Sequence, residues 1–243
     1  MPSLSIVIPA YNEEANVVAV VEEVSRVAQT LNMEYEIILV NDGSRDRTGE
    51  VAQSELAPRI PNFRLIEHFP NRGYGGALKA GFMAANKDFI AFIPADQQFK
   101  FSEVTLLLDK LKPGIALVSG QRVNRQDNAI RRLNGFGWNL VVTLLFGRLV
   151  HDIDCGFKLF RREMLNHLNI ESNGAMIDTE MLAEAKARGY KLTEVPVTHL
   201  PRTAGSPTGA NLKVILRAFR DLFKFRLRLW RELRDEKRAA QAH

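Results

Sequence analysis

A carboxylate and an amide follow an apolar run in the stretch FIPADQQFKF, residues 92–101. Asp96 and Gln98 stand two positions apart, directly after a segment with the composition of a buried strand. Carboxylate and amide oxygens are the ligands that hard cations such as Mg²⁺ and Mn²⁺ prefer. A cation held between such a pair and a diphosphate would neutralise the charge on a leaving nucleoside diphosphate. The stretch is therefore predicted to be a ligand site.

Three further apolar runs also end in polar residues. The segments that follow them are PAYNE (9–13), NDGS (41–44) and NRG (71–73). Asp42 can accept a hydrogen bond from a base N–H or a ribose hydroxyl, although Asn-Asp-Gly-Ser alone is also typical of a plain turn. Ligands of parallel sheets bind beyond the carboxyl ends of the strands, so the four polar segments are expected to converge there.

The strands that would position these segments alternate with helices. Five β-rich runs are predicted at residues 5–9, 36–40, 63–68, 88–94 and 114–120. Between them lie helix-like stretches, the first with valines at helical spacing and Asn12 as its predicted cap. This alternation predicts an α/β fold with a mostly parallel central sheet and helices on both faces.

The second half of the chain is less regular. Helices are predicted near 130–146 and 178–188, a strand at 191–197, and a long final helix from about Asn211. The sequence contains no internal repeat and no low-complexity linker. We therefore predict one α/β domain over residues 1–208 and an amphipathic C-terminal helix within 209–243.

Other nucleotide-binding and catalytic signatures are absent from the sequence. It has no P-loop pattern and no nucleophile elbow. Its glycine cluster at 73–76 follows the third strand, whereas a dinucleotide fingerprint would follow the first. Cys155 is the single cysteine, which excludes a disulfide framework or a zinc site of cysteine spacing and favours a reducing compartment.

The composition is that of an ordinary globular protein, with 46% hydrophobic and 25% charged residues among 243. The N-terminus has no basic segment and only a short apolar run, so we expect no signal peptide. The longest apolar stretch, 140–146, is far shorter than the roughly 18 residues of a membrane span. A soluble or peripheral protein is expected.

The net charge of +5 is concentrated in the tail. Residues 209–243 hold ten Lys and Arg against four Asp and Glu, and their apolar residues recur at near-helical spacing. Such basic amphipathic helices bind anionic lipid, so we expect a cytoplasmic protein that is peripheral on the membrane face. A helix that binds a membrane-anchoring partner or a second copy is the alternative. A neutral body with a basic tail argues against nucleic-acid binding.

The ordered motifs resemble those of a known family. IVIPAYNEE, LVNDGSRDRT, NRGYGGALKAGF and PADQQF, in this order and spacing, resemble family 2 glycosyltransferases of the GT-A fold. SGQR (119–122), AIRRLNG (129–135), DIDCGFKLFRR (152–162) and EVPVTHLPRTAG (194–205) resemble the polyprenyl-phosphate branch of that family, typified by dolichyl-phosphate mannose synthases. The resemblance covers about residues 4–225.

The resemblance implies a role for each matching residue. Asp96 and Gln98 would bind Mg²⁺ or Mn²⁺, and Arg202 would lie near the diphosphate of the nucleotide sugar. Arg122 and Arg131 would hold the lipid-linked phosphate. The residues implied to hold the nucleotide are Pro9, Tyr11, Glu13, Val40, Asp42 and Ala95.

Three positions depart from the family pattern. Pro94 stands where the first Asp of the metal-binding Asp-x-Asp is expected, and Gly135 where a serine of the acceptor-phosphate cluster is expected. The segment after Arg202 lacks the lysine of the family's Arg-x-x-Gly-x-Ser-Lys. These departures concern metal affinity and the acceptor, and they leave the nucleoside pocket intact.

The implied reaction is an inverting transfer of a hexose from a nucleotide sugar, of GDP-mannose or UDP-glucose type, to a membrane polyprenyl or dolichyl phosphate. A phosphate monoester has a second pKa near 6 and is largely dianionic at neutral pH, so it needs little help from a general base. Positioning and charge stabilisation would then be the enzyme's main contribution. No role is assigned to four further acids, Asp152, Asp154, Asp178 and Glu180.

Two alternative functions stay open at this point. One is a glycosyltransferase of the same fold that acts on a soluble saccharide. The other is a nucleotide-binding relative without turnover, which Pro94 and the missing lysine would favour.

Overall fold

Seven strands form one sheet in the computed structural model, which describes residues 1–123, 129–202 and 212–241, with backbone only for 129–134, 212–217 and 240. The strands are β1 Ser3–Ala10, β2 Glu34–Asn41, β3 Phe63–Glu67, β4 Phe89–Phe92, β5 Ile115–Val123, β6 Lys158–Arg161 and β7 Lys191–Thr198. The α-helices are α1 Val17–Thr30, α2 Thr48–Val51, α3 Tyr74–Ala84, α4 Val104–Lys110, α5 Ala129–Phe146, α6 Met176–Ala187 and α7 Leu212–Gln241. Short helical turns occur at Ala52–Leu56, Phe101–Glu103 and Arg162–His167.

The strand order in the sheet is β3-β2-β1-β4-β6-β5-β7. Strands β1 to β4 pair in parallel, and β7 is parallel to β5. Strand β6 runs antiparallel to both of its neighbours, β4 and β5. The predicted mostly parallel sheet is thus confirmed, and its five predicted strands of the first half are present. Strand β6 was not predicted.

Alternate residues of β1 enter different cores on the two faces of the sheet. Ile6 and Ile8 pack with α1 and α4 on one face, whereas Val7 packs with α3 and α6 on the other. All eight residues of β1 are buried. Strands of a parallel sheet that is covered on both faces are expected to be apolar throughout, and this explains the continuous apolar runs in the sequence.

Helix α1 begins at Val17, so the prediction that Asn12 caps it is wrong. Asn12 adopts a left-handed conformation, with φ of 55°, and its Oδ1 accepts the N–H of Arg45 at 2.8 Å. The N–H of Glu13 in turn donates to Oγ1 of Thr48 at 2.9 Å. The segment before α1 therefore exchanges its hydrogen bonds with the loop after β2 and does not join the helix.

Helix α7 shares a core with the body of the protein. Its Leu222, Phe225 and Leu229 are buried in the same cluster as residues of α6. The ring of Phe225 stacks on that of Phe146 in α5, with centroids 5.2 Å apart. The domain boundary predicted at residue 208 stays a prediction, because residue 208 lies outside the described residues. No helix within the described ranges is both long and apolar enough to span a membrane.

Candidate active site

A cleft of about 510 Å³ lies at the carboxyl ends of β1, β2 and β4. The four polar segments that follow the first four strands all contribute to its walls, as the strand pattern predicted. The predicted site residues that line it are Pro9, Tyr11, Glu13, Asp42, Ala95, Asp96, Gln98, Arg122 and Arg202. Residues scattered over nearly 200 positions of the sequence are thereby brought to one place.

One predicted site residue with a described side chain, Val40, does not join this group. Val40 is fully buried in the core on the α3 face of the sheet, so its side chain does not reach the cleft. Because side chains alternate along a strand, an inward-facing position in β2 is unavailable to a ligand, and the prediction for Val40 is wrong as regards its side chain. The side chain of Arg131 lies outside the described residues.

Asp42 is buried and lines the cleft at the carboxyl end of β2. Its Oδ1 lies 2.7 Å from Nδ1 of His68 and accepts the N–H of Arg72 at 2.9 Å. The neighbouring Gly43 has φ of 68°, and a Cβ there would lie 2.8 Å from the backbone nitrogen of Asn71. No hydrogen bond from the described residues engages Oδ2, which leaves that oxygen for a ligand. The turn at 41–44 thus holds a carboxylate in a fixed orientation.

Arg202 bridges two carboxylates in the middle of the cleft. Its Nη2 donates to Oε1 of Glu13 at 2.5 Å, and its Nη1 lies 3.8 Å from Oδ2 of Asp96. Burial raises the pKa of Glu13, while the hydrogen bond from Asn16 and the charge of Arg202 lower it. Burial also raises the pKa of Asp96, against the N–H that Gln98 donates to it and the charge of Arg202. The guanidinium of Arg202 therefore lies between the carboxylates of Glu13 and Asp96.

Gln98 ties the Asp96 turn to the segment that carries Arg202. Its Nε2 donates to the carbonyl of Leu200 at 3.3 Å, and its own carbonyl accepts the N–H of Leu200 at 2.9 Å. Among the described residues, no group of three or more His, Cys, Asp and Glu side chains could hold a metal by itself. A cation here would draw on the oxygens of Asp96 and Gln98. Mg²⁺ is commonly bound through one or two protein ligands, with substrate phosphates and water, so this donor set fits it.

Arg122 forms a bidentate ion pair with Asp152 at the other end of the cleft. Its Nε and Nη2 donate to the two carboxylate oxygens, each at 2.7 Å, and its backbone N–H donates at 3.1 Å. Burial by itself would lower the pKa of the guanidinium, but the bonds and charge of Asp152 raise it above its ordinary value. Arg122 is therefore a permanent, oriented cation. Its Nη1 is not engaged by the described residues.

Asp178 has a partner of its own in the adjacent core. It accepts from Nζ of Lys158 at 2.5 Å, and Lys158 is fully buried. Lys158 also donates to the carbonyls of Ile153, at 3.1 Å, and Cys155. Burial raises the pKa of Asp178, against the lowering effect of Lys158. Asp178 is one of the residues that line the cleft. The ion pair with Lys158 therefore holds part of the cleft floor in place.

Asp154 is exposed to the cleft and surrounded by charged neighbours. The protein around it limits its hydration and raises the pKa of its carboxyl to about 6. The charges of Asp178 and Asp152 add to this effect, whereas Arg122 and Lys158 oppose it. No hydrogen bond from the described residues engages this carboxylate. Its sequence context predicts no role for Asp154, and only its position in the fold distinguishes it from Asp152.

Comparison with known proteins decides the family. The sequence matches the family described as Glycosyl transferase family 2 over residues 5–168. This chain belongs to glycosyl transferase family 2. Within this family, it is 31% identical to a dolichyl-phosphate beta-glucosyltransferase of Trichomonas vaginalis, over 96% of this chain and 77% of that protein.

Other curated relatives of this family 2 glycosyltransferase are named for undecaprenyl or dolichyl phosphate. It is 32% identical to an undecaprenyl-phosphate 4-deoxy-4-formamido-L-arabinose transferase of Photorhabdus laumondii, over 87% of this chain and 64% of the relative. It is 29% identical to a dolichyl-phosphate beta-glucosyltransferase of Saccharomyces cerevisiae, over 80% of this chain and 66% of the relative. The chain thus spans about two thirds of the length of these two relatives.

The fold of the family 2 glycosyltransferase also matches solved structures. Glucosyl-3-phosphoglycerate synthase from Mycobacterium tuberculosis, in complex with phosphoglyceric acid, superposes with a TM-score of 0.72 at 22% identity, over 94% of this chain and 80% of that one. The same enzyme with Mn²⁺, UDP and glucosyl-3-phosphoglycerate gives a TM-score of 0.72 at 20% identity, over 92% and 80%. The predicted GT-A fold is thereby confirmed.

Proposed function

We propose that this glycosyltransferase transfers a hexose from a nucleotide sugar, of GDP-mannose or UDP-glucose type, to the phosphate of a membrane polyprenyl or dolichyl phosphate, with inversion. The observation that carries the proposal is the cleft itself, which places Asp42, Asp96 with Arg202, and Arg122 along one continuous surface. These three groups suit a nucleoside, a diphosphate and a phosphate acceptor, in that order. The names of the curated relatives support a lipid-linked phosphate as acceptor.

The donor half of the cleft suits a nucleoside diphosphate. Asp42, held by His68, offers one carboxylate oxygen to a base N–H or a ribose hydroxyl. Arg202 has both carboxylates of Glu13 and Asp96 as neighbours, and it can turn a guanidinium face toward the diphosphate oxygens. Preorganised cations of this kind stabilise the charge that develops on a leaving group.

A divalent cation is part of the proposal. Asp96 and Gln98 would hold Mg²⁺ or Mn²⁺, and diphosphate oxygens and water would complete the coordination. When bound, the cation would neutralise the leaving diphosphate. Pro94 supplies no ligand atom from its side chain, so the protein's own contribution to cation affinity is small and the nucleotide contributes the rest.

The acceptor half of the cleft suits a phosphate monoester. Asp152 fixes the Arg122 guanidinium by two bonds and leaves Nη1 for a phosphate oxygen, and Arg131 would be a second cation. One phosphate oxygen would attack the anomeric carbon while the bond from that carbon to the diphosphate breaks. Since the phosphate is mostly dianionic near pH 7, the residues need only to orient it and to offset its charge.

Turnover with a nucleotide sugar and a polyprenyl phosphate tests the proposal. We expect product with UDP-glucose or GDP-mannose in the presence of Mn²⁺, and a loss of about 100-fold or more in kcat for Asp96→Ala, on the scale of removing one transition-state stabilising group. Asp109→Ala is the matched control, because Asp109 is an exposed residue of α4. Full turnover by Asp96→Ala would contradict the scheme. Transfer to soluble saccharides only, or nucleotide binding without any transfer, would establish one of the two alternatives.

We further propose that the protein is peripheral on the cytoplasmic face of a membrane, through α5 and α7. Apolar side chains that are 50% to 76% exposed form a stripe on each helix, namely Phe136, Leu140 and Leu144 on α5 and Phe223, Leu227 and Trp230 on α7. In each stripe the spacing of three or four residues places the side chains on one face of the helix. An apolar stripe beside basic residues is the pattern of a helix that lies in the membrane interface.

Contacts between the two helices support a common surface. Trp138 of α5 and Phe219 of α7 meet with ring centroids 5.5 Å apart. Nε of Arg226 donates to the carbonyl of Leu145 at 2.9 Å. Phe223 and Leu227 follow Phe219 at intervals of four residues, so the exposed stripe of α7 continues the face that contacts α5.

A further inference from the structure

A polar network joins helix α7 to the donor side of the cleft. Nη2 of Arg228 donates to Oε1 of Glu180, in α6, at 2.5 Å and to the carbonyl of Asn169 at 2.9 Å. Nη1 of Arg228 lies 2.5 Å from Oε2 of Glu171. Although the sequence suggests that Arg228 belongs to a basic lipid-facing surface, its guanidinium points inward. It bridges α7, α6 and the non-helical segment before α6.

Glu180 is the centre of this network. Its carboxylate is almost completely buried and accepts the backbone N–H of Glu171 at 3.1 Å and of Ser172 at 2.8 Å. A buried carboxylate requires a cation and hydrogen-bond donors to offset its desolvation. Arg228 supplies the cation, and the two amides supply donors. The Glu180 carboxylate thus fixes the path of the segment 171–175, and Arg228 of α7 neutralises the charge of that carboxylate.

The segment 171–175 packs directly on the first turn of α3. The carbonyl of Asn173 accepts the N–H of Gly75 at 2.9 Å and of Gly76 at 3.3 Å. Nζ of Lys79 donates to the carbonyl of Glu171 at 2.7 Å. A Cβ at position 75 would lie 2.6 Å from the carbonyl oxygen of Ser172, so only glycine permits this approach. Three contacts therefore hold the segment against α3.

The start of α3 forms one wall of the cleft. Asn71, Gly73 and Tyr74 line the cleft, as does Ala175 at the end of the packed segment. Nδ2 of Asn71 donates to the carbonyl of Asp42 at 2.6 Å. A displacement of this wall would move both the lining surface and the carboxylate that is proposed to bind the nucleoside.

We propose that Arg228 is a positioning residue for donor binding. Together with Glu180 it holds the segment 171–175 against the first turn of α3 and so keeps the nucleotide side of the cleft in shape. The inference rests on the proposed function, since it concerns the same nucleotide pocket. It also implies that docking of α7 onto the body and assembly of the donor pocket are one event.

Substitution of Arg228 in the full-length protein tests the inference. Arg228→Met keeps an unbranched apolar side chain and removes the charge, whereas Arg228→Lys keeps the charge and loses the planar guanidinium. Arg238→Met is the control, because Arg238 is exposed near the end of α7. We expect the Kd for UDP or GDP, by isothermal titration, and the KM for the nucleotide sugar to rise roughly tenfold in Arg228→Met. The kcat should stay within about twofold, Arg228→Lys should recover part of the affinity, and Arg238→Met should match the wild type.

Hydrogen exchange gives a readout that does not depend on turnover. We expect the amides of residues 171–176 and 73–77 to exchange faster in Arg228→Met than in the wild type. Unchanged exchange there, with unchanged nucleotide affinity and a lower Tm, would overturn the inference and make Arg228 a simple anchor of α7. If Arg228→Met does not fold, Lys79→Met loosens the segment from the α3 side, and an unchanged Kd in that variant overturns the inference as well.

The failure of the proposed function would look different. A wild-type protein that binds UDP or GDP without transferring sugar to a polyprenyl phosphate would refute the proposed reaction. The affinity and exchange measurements would still decide the role of Arg228 in that case.

Discussion

Three acids within one short segment and the following helix illustrate what single residues contribute to this site. Asp152 is matched to Arg122 and Asp178 to Lys158, whereas Asp154 faces the cleft without a hydrogen bond from the described residues. The sequence places Asp152 and Asp154 in the motif DIDCGFKLFRR, whereas Asp178 lies outside the quoted motifs. The sequence does not distinguish the roles of the three acids, because the pairing of Asp152 and Asp178 with cations depends on how β5, β6 and α6 pack together.

The raised pKa of Asp154 predicts a pH dependence of stability. An unfolded Asp has a pKa near 3.9, and the folded protein raises that of Asp154 to about 6. Between these values the folded state binds more protons, so stability falls as the pH rises from about 4 to 6. Asp154→Asn cannot ionise and should therefore escape this loss.

Thermal unfolding at several pH values measures the effect. We expect Asp154→Asn to match the wild type near pH 4 and to have a Tm higher by about 2–4 °C at pH 8. That shift corresponds to roughly 1 kcal/mol in a chain of this size, a value kept small because the carboxylate retains contact with water. Parallel Tm curves for the two proteins across this pH range would show that Asp154 titrates normally.

The cleft positions of the residues proposed to bind the nucleotide were more predictable than the partners of the acids. Asp42 directly follows β2, and Asp96 lies four residues beyond the end of β4. The position of a residue near the end of a parallel strand is fixed once the strand is recognised. Val40 shows the limit of that logic, since it lies two residues earlier in β2 and packs into the core. A motif match at that position reflects the requirements of packing under the site.

At the scale of elements, the regular strands were predictable and β6 was not. Strands β1 and β2 are covered on both faces and read as continuous apolar runs. Strand β6 has four residues and begins with the fully buried Lys158, which breaks the apolar pattern. The buried charge of Lys158 is compensated by an ion pair with Asp178, a residue twenty positions later. A strand stabilised by such a distant partner has no local signature.

Helix α7 presents two different leucine environments within three positions. Leu229 is buried in the core shared with α6, whereas Leu227 is 56% exposed. Leu229→Ala should lower the free energy of unfolding by about 2–4 kcal/mol, the cost of a cavity in a packed core. Leu227→Ala should change it by less than about 1 kcal/mol. Urea denaturation of both variants measures the difference, and equal losses would mean that α7 does not pack as described.

At the scale of the whole molecule, the excess of basic charge and several exposed apolar side chains lie on the same helix, α7. The basic residues of 209–243 account for the positive net charge, and α7 carries three of the exposed apolar residues. The basic composition of residues 209–243 and the near-helical spacing of their apolar residues predicted an amphipathic tail. This pattern could not predict that α5 adds a second apolar stripe, because that depends on which face of α5 the core covers.

Vesicle flotation tests whether this surface binds a membrane. The full-length protein should float with vesicles that contain phosphatidylglycerol and much less with vesicles of phosphatidylcholine alone. Each basic residue near an anionic surface contributes about 1 kcal/mol, so Arg231→Gln should weaken binding roughly fivefold, and salt near 1 M should weaken it further by screening. Trp230→Ser should reduce binding on both kinds of vesicle, because its indole would lie in the interface.

A substitution on another face supplies the control for this experiment. Leu106 of α4 is 44% exposed, and Leu106→Ser should float like the wild type because α4 covers the opposite face of the sheet from α7.

Equal flotation of Trp230→Ser and the wild type would exclude the membrane role. Sedimentation would then show whether the stripes join two copies of the chain, since an apolar surface of this kind also suits a protein partner. Loss of flotation by Trp230→Ser, together with a monomeric wild-type protein, would show that the two stripes bind the lipid bilayer and not a second copy of the chain.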